Sequence, residues 1–284
     1  MRENKCMKKR IGFVILVWNS EAVIESCLDS IFSLQEIGPY VVVIDNGSTD
    51  ATETKLAKHM QEHPQNIDLV RYEKNMGTTI SRNAGLRKLF LLDLDYYCIL
   101  DSDTVINDEA MLKLIAELDS HVSYGMIGPQ MITSSGIVQM SARAFPTVLE
   151  KICKAIPIKR IQQIGEKMEV QQPDGKQSDS YPVDYLMSAC WLMKPHAVKQ
   201  VGLLDEKIFY APEDAEYCIR MWKKGYQVAH CPSALIIHEW QRLSKKKLVS
   251  KINLEHVKGL LYMFYKHKYC LTTKRLTHSF PNVR

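Results

Sequence analysis

The chain has 284 residues and a net charge of +5; it is 46% apolar and 24% charged, with 13 Gly and 11 Pro. That composition excludes a collagen-like, low-complexity or wholly disordered chain. The length admits one large α/β domain with an appendage, or two domains, and either buries a substantial core.

Charge is unevenly spread. Positions 241–284 hold eleven Lys/Arg against one acid, Glu255, so this tail is +10 and the body −5. Such asymmetry suggests a tail that meets something anionic or, equally, a solubilising surface. The longest apolar run, Ile11–Trp18, is far short of the ~20 residues a spanning helix needs. Its basic approach, Met1–Arg10, imitates a signal peptide, but polar Asn19-Ser20-Glu21 follows at once. The eight cysteines form no CxxC pair, which speaks against a zinc ribbon. Several sit in apolar stretches, as small core residues of a reducing compartment do.

In chain order, Ile11–Val17 is a β-branched run of the kind that forms buried parallel strands. Asn19 and Ser20 then cap a helix from about 21 to 33, with Val23, Ile24, Cys27, Leu28 and Ile31 on one face. Tyr40–Ile44 predicts a second strand, and the turn cluster Asp45–Asp50 opens a helix from 51 to 63. Leu69–Tyr72 is a third strand, 78–91 a helix and Tyr96–Leu100 a fourth strand. This alternation predicts an α/β, doubly wound, mostly parallel sheet. A helix from Asp108 to Leu118 follows, then strand-like 125–132 and 136–143. The Gln-rich stretch from 145 to 181 reads as one or two helices and a mobile loop. Val183–Met193 predicts a strand and 215–224 a helix closed by Gly225. Gln227–His230 and Leu235–His238 read as two strands. Apolar Leu248, Ile252, Val257, Leu260, Leu261 and Phe264 give the tail a helical period. No internal repeat is visible.

Ligands of parallel α/β sheets bind beyond the carboxyl ends of the strands. Three polar clusters occupy such ends: Asn19-Ser20, Asp45-Asn46-Gly47-Ser48 and Asp101-Ser102-Asp103. Each alone reads as a cap or turn; together they point to a site on one rim. Two carboxylates at i and i+2, Asp101 and Asp103, suit a hard cation such as Mg²⁺ or Mn²⁺ bridging phosphates. Glu213-Asp214 opens a helix, where acids are stabilised by the dipole, and a carboxylate there also suits a general base. Arg82 suits a phosphate clamp or a surface ion pair. His238 ends a strand, as a metal or phosphate ligand or a core histidine. His59 and His63, at i and i+4 without an acidic third ligand, read as a solvated helix face. Neither GxGxxG nor GxxxxGK[ST] is present.

These clusters, in this order, resemble family 2 glycosyltransferases of the GT-A fold over roughly residues 10–240. The matching pieces are VILVWNS (14–20), VVVIDNGSTD (41–50), NMGTTISRNAGL (75–86), YYCILDSDT (96–104), VDYLMSACWLMK (183–194) and VGLLDEKIFYAPEDAEYCIRMWKKGY (201–226). The last is the most specific. GIVQMSARAFPT (136–147) and YKHK (265–268) are similar to rhamnosyltransferase-like members.

The resemblance implies roles. Asp45 and Asn46 would hold the nucleotide base, with Asn19 and Ser20 lining the same pocket and Arg82 seating the nucleotide. Asp101, Ser102 and Asp103 would form the metal–diphosphate motif, with Asp103 the direct ligand. Asp214 would be the catalytic base and Glu213 would orient it or the acceptor. The implied domain is 1–240, with a donor half (10–104) and an acceptor half (105–240), followed by a basic amphipathic tail, 241–284. The implied reaction is inverting transfer of a sugar from a nucleotide-diphosphate donor, with Mn²⁺ or Mg²⁺, to a glycan or lipid-linked glycan of a cell-surface polysaccharide. Rhamnose from a dTDP donor is the subfamily expectation. A cytoplasmic enzyme follows, with the tail either on the inner face of the membrane or packed on the catalytic unit.

Two other readings compete. A sugar-phosphate nucleotidyltransferase wants a Gly-rich, Arg-containing loop where this chain has WNSEAVIES. A non-catalytic nucleotide-sugar or glycan-binding protein has no need of both Asp101/Asp103 and Glu213-Asp214. The aromatics of the tail match no nucleic-acid-binding motif, so no nucleic acid is expected.

Overall fold

The computed structural model describes residues 8–171, 179–239 and 251–281. The first part alternates β1 (Lys9–Val17), α1 (Ile24–Phe32), β2 (Ile37–Asp45), α2 (Thr52–Glu62), β3 (Ile67–Arg71), α3 (Thr78–Leu89) and β4 (Tyr96–Asp101). Next come β5 (Thr104–Val105), α4 (Asp108–Ser120), β6 (Tyr124–Ile132), β7 (Val138–Gln139) and β8 (Ala142–Arg143). A helical pair, α5 (Val148–Ala155) and α6 (Lys159–Glu169), precedes β9 (Tyr181–Pro182), β10 (Tyr185–Leu186) and β11 (Cys190–Met193). The chain continues with α7 (Pro195–Val201), α8 (Glu213–Lys223), β12 (Gln227–His238), α9 (Lys251–His267) and α10 (Lys274–Thr277).

The main sheet runs β3-β2-β1-β4-β11-β6-β12-β5. β1, β2, β3 and β4 are parallel neighbours, as their unbroken β-branched runs require. β11 enters antiparallel between β4 and β6, while β6 and β12 are again parallel. Register sets the function: Val17 stands opposite Asp45 and Leu16 opposite Asp101, so both acidic strand ends lie on one rim.

Strand side chains alternate between two cores, one on each face of the sheet. Phe13, Ile15, Val41 and Val43 enter one with α1 and α4; Val14, Val42 and Ile44 enter the other with α3 and α8. Each such side chain contributes ~1.5–3 kcal/mol through burial.

Several expectations need correction. His59 is buried rather than solvated: α2 packs on α1, and His59 Nε2 lies 2.9 Å from Asp29 Oδ1. His63 stacks on Phe32 at 3.8 Å. Val183–Met193 is two strands, because the chain turns at Met187–Ala189. The two strands read in 227–238 are one, with a register shift between Cys231 and Leu235. The loop expected in 145–181 falls partly on 172–178, outside the described residues, as do Leu248 and the basic run 242–247 of the tail.

The described part of the tail belongs to the core. Leu260, Met263, Phe264, Tyr269, Leu276 and Phe280 are buried in the cluster that holds α3 and α8. Leu254, Val257, Leu261 and Tyr265 remain exposed. Among the described residues, no helix is long and apolar enough to cross a membrane.

A polar lock fastens α9 to α8. Glu216, fully buried, accepts hydrogen bonds from Lys266 Nζ at 2.6 Å, His267 Nε2 at 3.2 Å and Arg220 Nε at 3.0 Å. Lys266 also reaches Asp205 at 2.6 Å. Burial opposes the Glu216 charge, but His267, Arg220 and Lys266 prevail and hold its carboxyl down at about 2, from 4.5. A carboxyl below its unfolded value adds stability above about pH 4.5, and that stability drains away as pH falls towards 2. Glu216→Gln is therefore expected to lose about 3 kcal/mol at pH 7, or about 5–10 °C in melting temperature. The difference shrinks by roughly half at pH 3. Melting curves of both proteins at the two pH values check this; an equal difference at both would remove the charge from the explanation.

Candidate active site

The site grows from three strand ends and one helix start. Ser20 follows β1, Asp101 closes β4, His238 closes β12, and Glu213-Asp214 opens α8. Together with Arg82, Ser102 and Asp103 they line one cavity of about 340 Å³. The sequence reading missed Trp18, Ser188 and Tyr210, which line it too.

Arg82 is the tie between the two acidic clusters. From α3, almost wholly buried, its Nη2 donates to Asp101 Oδ1 at 2.6 Å and its Nη1 to Glu213 Oε1 at 3.1 Å. Ser188 adds to this: its carbonyl accepts from Arg82 at 3.3 Å, and its hydroxyl donates to Glu213 at 3.1 Å. A buried guanidinium between two carboxylates is costly to break, because each charge left behind is unpaired. α3 is aimed by its first turn. Gly77 has φ +87°, and a Cβ there would stand 2.4 Å from Phe209 O, so only glycine lets Thr78 N donate to that carbonyl at 2.7 Å.

The Glu213-Asp214 pair is divided in its bonding. Glu213 is held by Arg82 and Ser188. Burial pushes its carboxyl up to about 8, aided by the Asp214 charge and opposed by Arg82. Asp214 Oδ1 accepts only the Ala215 N–H, at 2.7 Å, and no other hydrogen bond or ion pair reaches this carboxylate among the described residues. Burial raises Asp214 as well, opposed by that N–H and by Arg143 and Arg82.

Asp101, Asp103 and His238 form the second cluster. One ligand atom from each lies within 4.8 Å of the others. His238 Nε2 is 3.3 Å from Asp103 Oδ1, and its Nδ1 is 2.7 Å from Gln139 Oε1. Burial raises the Asp101 carboxyl against Arg82, and the Asp103 charge adds to the rise. Burial disfavours a charged His238, yet Asp103 and Asp101 carry its affinity for a proton above the ordinary value. Two hard oxygens and one imidazole, with excess negative charge, fit a divalent cation of the Mn²⁺ or Mg²⁺ kind.

Three of the residues expected to contact nucleotide do not line the cavity. Asn19, at φ 52°, takes Thr49 N on its side-chain oxygen at 2.8 Å. Asp45 is 1% exposed and accepts from Ser48 N at 2.9 Å. Asn46 receives Met76 N at 2.8 Å and donates to Asn75 at 3.0 Å. Their polar atoms build the loops behind the rim.

Residues 13–202 match the profile of glycosyl transferase family 2. The chain belongs to that family. Relatives of the family 2 chain include the N-acetylglucosaminyl-diphospho-decaprenol L-rhamnosyltransferase of Mycobacterium tuberculosis, 24% identical over 239 residues, which are 80% of this chain and 75% of that one. The dTDP-rhamnosyl transferase RfbF of Shigella flexneri is 24% identical over 232 residues, 82% of this chain and 70% of that one. The low-salt glycan biosynthesis hexosyltransferase Agl10 of Haloferax volcanii is also 24% identical, over 80% of this chain, which spans only 66% of Agl10.

Solved GT-A structures share the fold of this family 2 chain. GalNAc-T7 with UDP, GalNAc and Mn²⁺ superposes with a TM-score of 0.71 at 14% identity, over 91% of this chain and 48% of that one. The mannosyltransferase PcManGT of Pyrobaculum calidifontis, with GDP-Man and Mn²⁺, gives 0.60 at 14% identity, over 96% and 69%. The sheet is accordingly a GT-A type α/β sheet, and neither competing reading gains support from these matches.

Proposed function

We propose that this family 2 chain is an inverting glycosyltransferase that moves a sugar from a nucleotide-diphosphate donor to a hydroxyl of a glycan or lipid-linked glycan. The observation that carries this is the singly bonded Asp214 carboxylate in the same cavity as the Asp101–Asp103–His238 cluster. dTDP-rhamnose is the favoured donor, since one relative is named a dTDP-rhamnosyl transferase and another an L-rhamnosyltransferase.

Ser20, Arg82, Asp101 and Ser102 face the donor, with Asn19, Asp45 and Asn46 holding the wall behind them. Asp101, Asp103 and His238 are the residues that would hold a divalent cation, which when bound stabilises charge on a leaving diphosphate. Asp214 takes the proton of the acceptor hydroxyl as its oxygen bonds to the anomeric carbon. The bond from that carbon to the diphosphate breaks on the opposite face, its electron pair leaving with the diphosphate. Arg82 fixes Asp101 and Glu213 throughout, so that base and donor clusters keep their separation.

The acceptor approaches along a second groove, of about 990 Å³, between β7 and α6. Arg143 joins it to the active site: it bonds Glu169 at 2.5 Å on one side and Met187 Sδ, at the cavity wall, at 3.1 Å on the other. In this reading residues 10–104, with His238, serve the donor, the rest of 105–240 the acceptor, and 251–281 brace α8 and the segment before it.

Thermal shifts with UDP, dTDP, GDP and CDP, each with and without Mn²⁺ or Mg²⁺, test the proposal. One nucleotide is expected to stabilise the protein with metal, by ~2.7 kcal/mol at a hundredfold excess over its dissociation constant. Asp103→Ala is expected to abolish the metal-dependent part. No shift with any nucleotide would overturn the donor assignment.

A further inference from the structure

We propose that Gln139 is a positioning residue for the metal centre: it holds the His238 ring as the Nδ1–H tautomer, leaving Nε2 bare toward Asp103 and a divalent cation. The inference rests on the metal reading above and deepens it. Sequence reasoning gave Gln139 no role, although it lies within the GIVQMSARAFPT stretch (136–147).

For a neutral ring the geometry leaves one arrangement. Gln139 is buried on β7, opposite Met131 of β6, and its carbonyl is held by Gln130 Nε2 at 2.7 Å. Its side-chain Nε2 donates to the His238 carbonyl at 2.7 Å. A backbone carbonyl only accepts, so the amide nitrogen must face it and Oε1 must face the ring. Oε1 lies 2.7 Å from Nδ1. An amide oxygen also only accepts, so Nδ1 carries a proton. The two bonds grip the same histidine by ring and backbone, which fixes where the ring sits as well as which nitrogen is free.

The alternative is visible beside it. Asp103 Oδ1 stands 3.3 Å from Nε2. A neutral His238 without Gln139 gains most by placing its single proton on Nε2, against that carboxylate, which masks the lone pair a cation needs. With Gln139 present, the 2.7 Å bond on Nδ1 outcompetes the 3.3 Å approach on Nε2. Outer partners that orient a ligating histidine typically change metal affinity 10–100-fold.

The test uses Mn²⁺ alone, with the unbound ion counted by electron paramagnetic resonance. Gln139→Leu is expected to weaken Mn²⁺ binding 10–100-fold. A second readout is the nitrogen-15 spectrum of the metal-free protein at alkaline pH. Wild type should show His238 protonated at Nδ1, and Gln139→Leu at Nε2. Melting temperatures separate a lost fold from a lost ligand. Equal Mn²⁺ affinity in wild type and Gln139→Leu overturns the inference alone, and an Nε2–H ring in wild type does so whether or not the variant folds. No Mn²⁺ binding to wild type overturns the metal reading and this inference with it.

Discussion

Replacing Asp214 by Asn is expected to cut sugar transfer by about 10²–10⁴-fold while leaving nucleotide-induced stabilisation and melting temperature near wild type. The substitution is nearly isosteric, and the amide oxygen can still accept from Ala215 N–H, so α8 keeps its start. What disappears is the capacity to take a proton. Asp214 suits that task better than Glu213, whose carboxylate is already engaged by Arg82 and Ser188. The pH dependence has a sign. Burial raises the Asp214 carboxyl, and a base must be ionised to act. The acid limb of transfer should therefore lie above the ordinary position of an aspartate carboxyl. Initial rates of Asp214→Asn and wild type across pH, with donor binding measured in parallel, decide this. An Asn variant retaining a tenth of the rate with donor bound would move the base to another group.

Gly259→Ala gives the other large effect, and it comes from outside the cavity. A Cβ at this position of α9 would lie 2.3 Å from Ala211 O and 2.9 Å from Pro212 Cδ, in the segment immediately before Glu213. Two effects oppose each other. Alanine in place of glycine within a helix favours the helix by about 1 kcal/mol. Overpacking against backbone costs about 1–3 kcal/mol, because neither α9 nor the 211–212 segment has a flexible side-chain tip to move aside. The steric clash outweighs the helix preference, so the melting temperature should fall. A displacement of about 1 Å at Asp214 can cost ~10² in rate, so kcat/KM should fall further than stability suggests. A raised melting temperature, as in an independent helix, would show that α9 does not press on the catalytic segment.

How much of this was legible depends on distance along the chain. The parallel half was readable because strands buried on both faces need continuous apolar runs, and the polar turns after β1 and β4 carry Ser20, Ser102 and Asp103 of the site. Asp101, Asp103, Arg82, Glu213 and Asp214 could each be placed by local pattern. The antiparallel half was not. Val183–Met193 is apolar throughout, so nothing in its periodicity marks the turn at Met187–Ala189 that sends Ser188 to Glu213. The apolar period of the tail allowed a helix packed on the catalytic unit, but its basic residues read as solvated or membrane-facing, whereas Lys266 and His267 spend their donors on Glu216, about fifty residues away. Gln139 and His238 lie 99 residues apart and meet through the pairing of β6 with both β7 and β12. Hydrophobic period reports which face of an element is buried; it carries no information about which distant donor will meet which acceptor.

The placement of α9 also bears on when the protein comes to life during its synthesis. All the cavity's side chains are made by residue 238, but the helix that presses on the segment before Glu213 begins at Lys251. A nascent chain still inside the ribosomal tunnel beyond that point holds every catalytic group and lacks the brace that sets them. Competence for transfer is then expected to follow the emergence of α9, which presses on Ala211 and Pro212, rather than the completion of the acidic pocket.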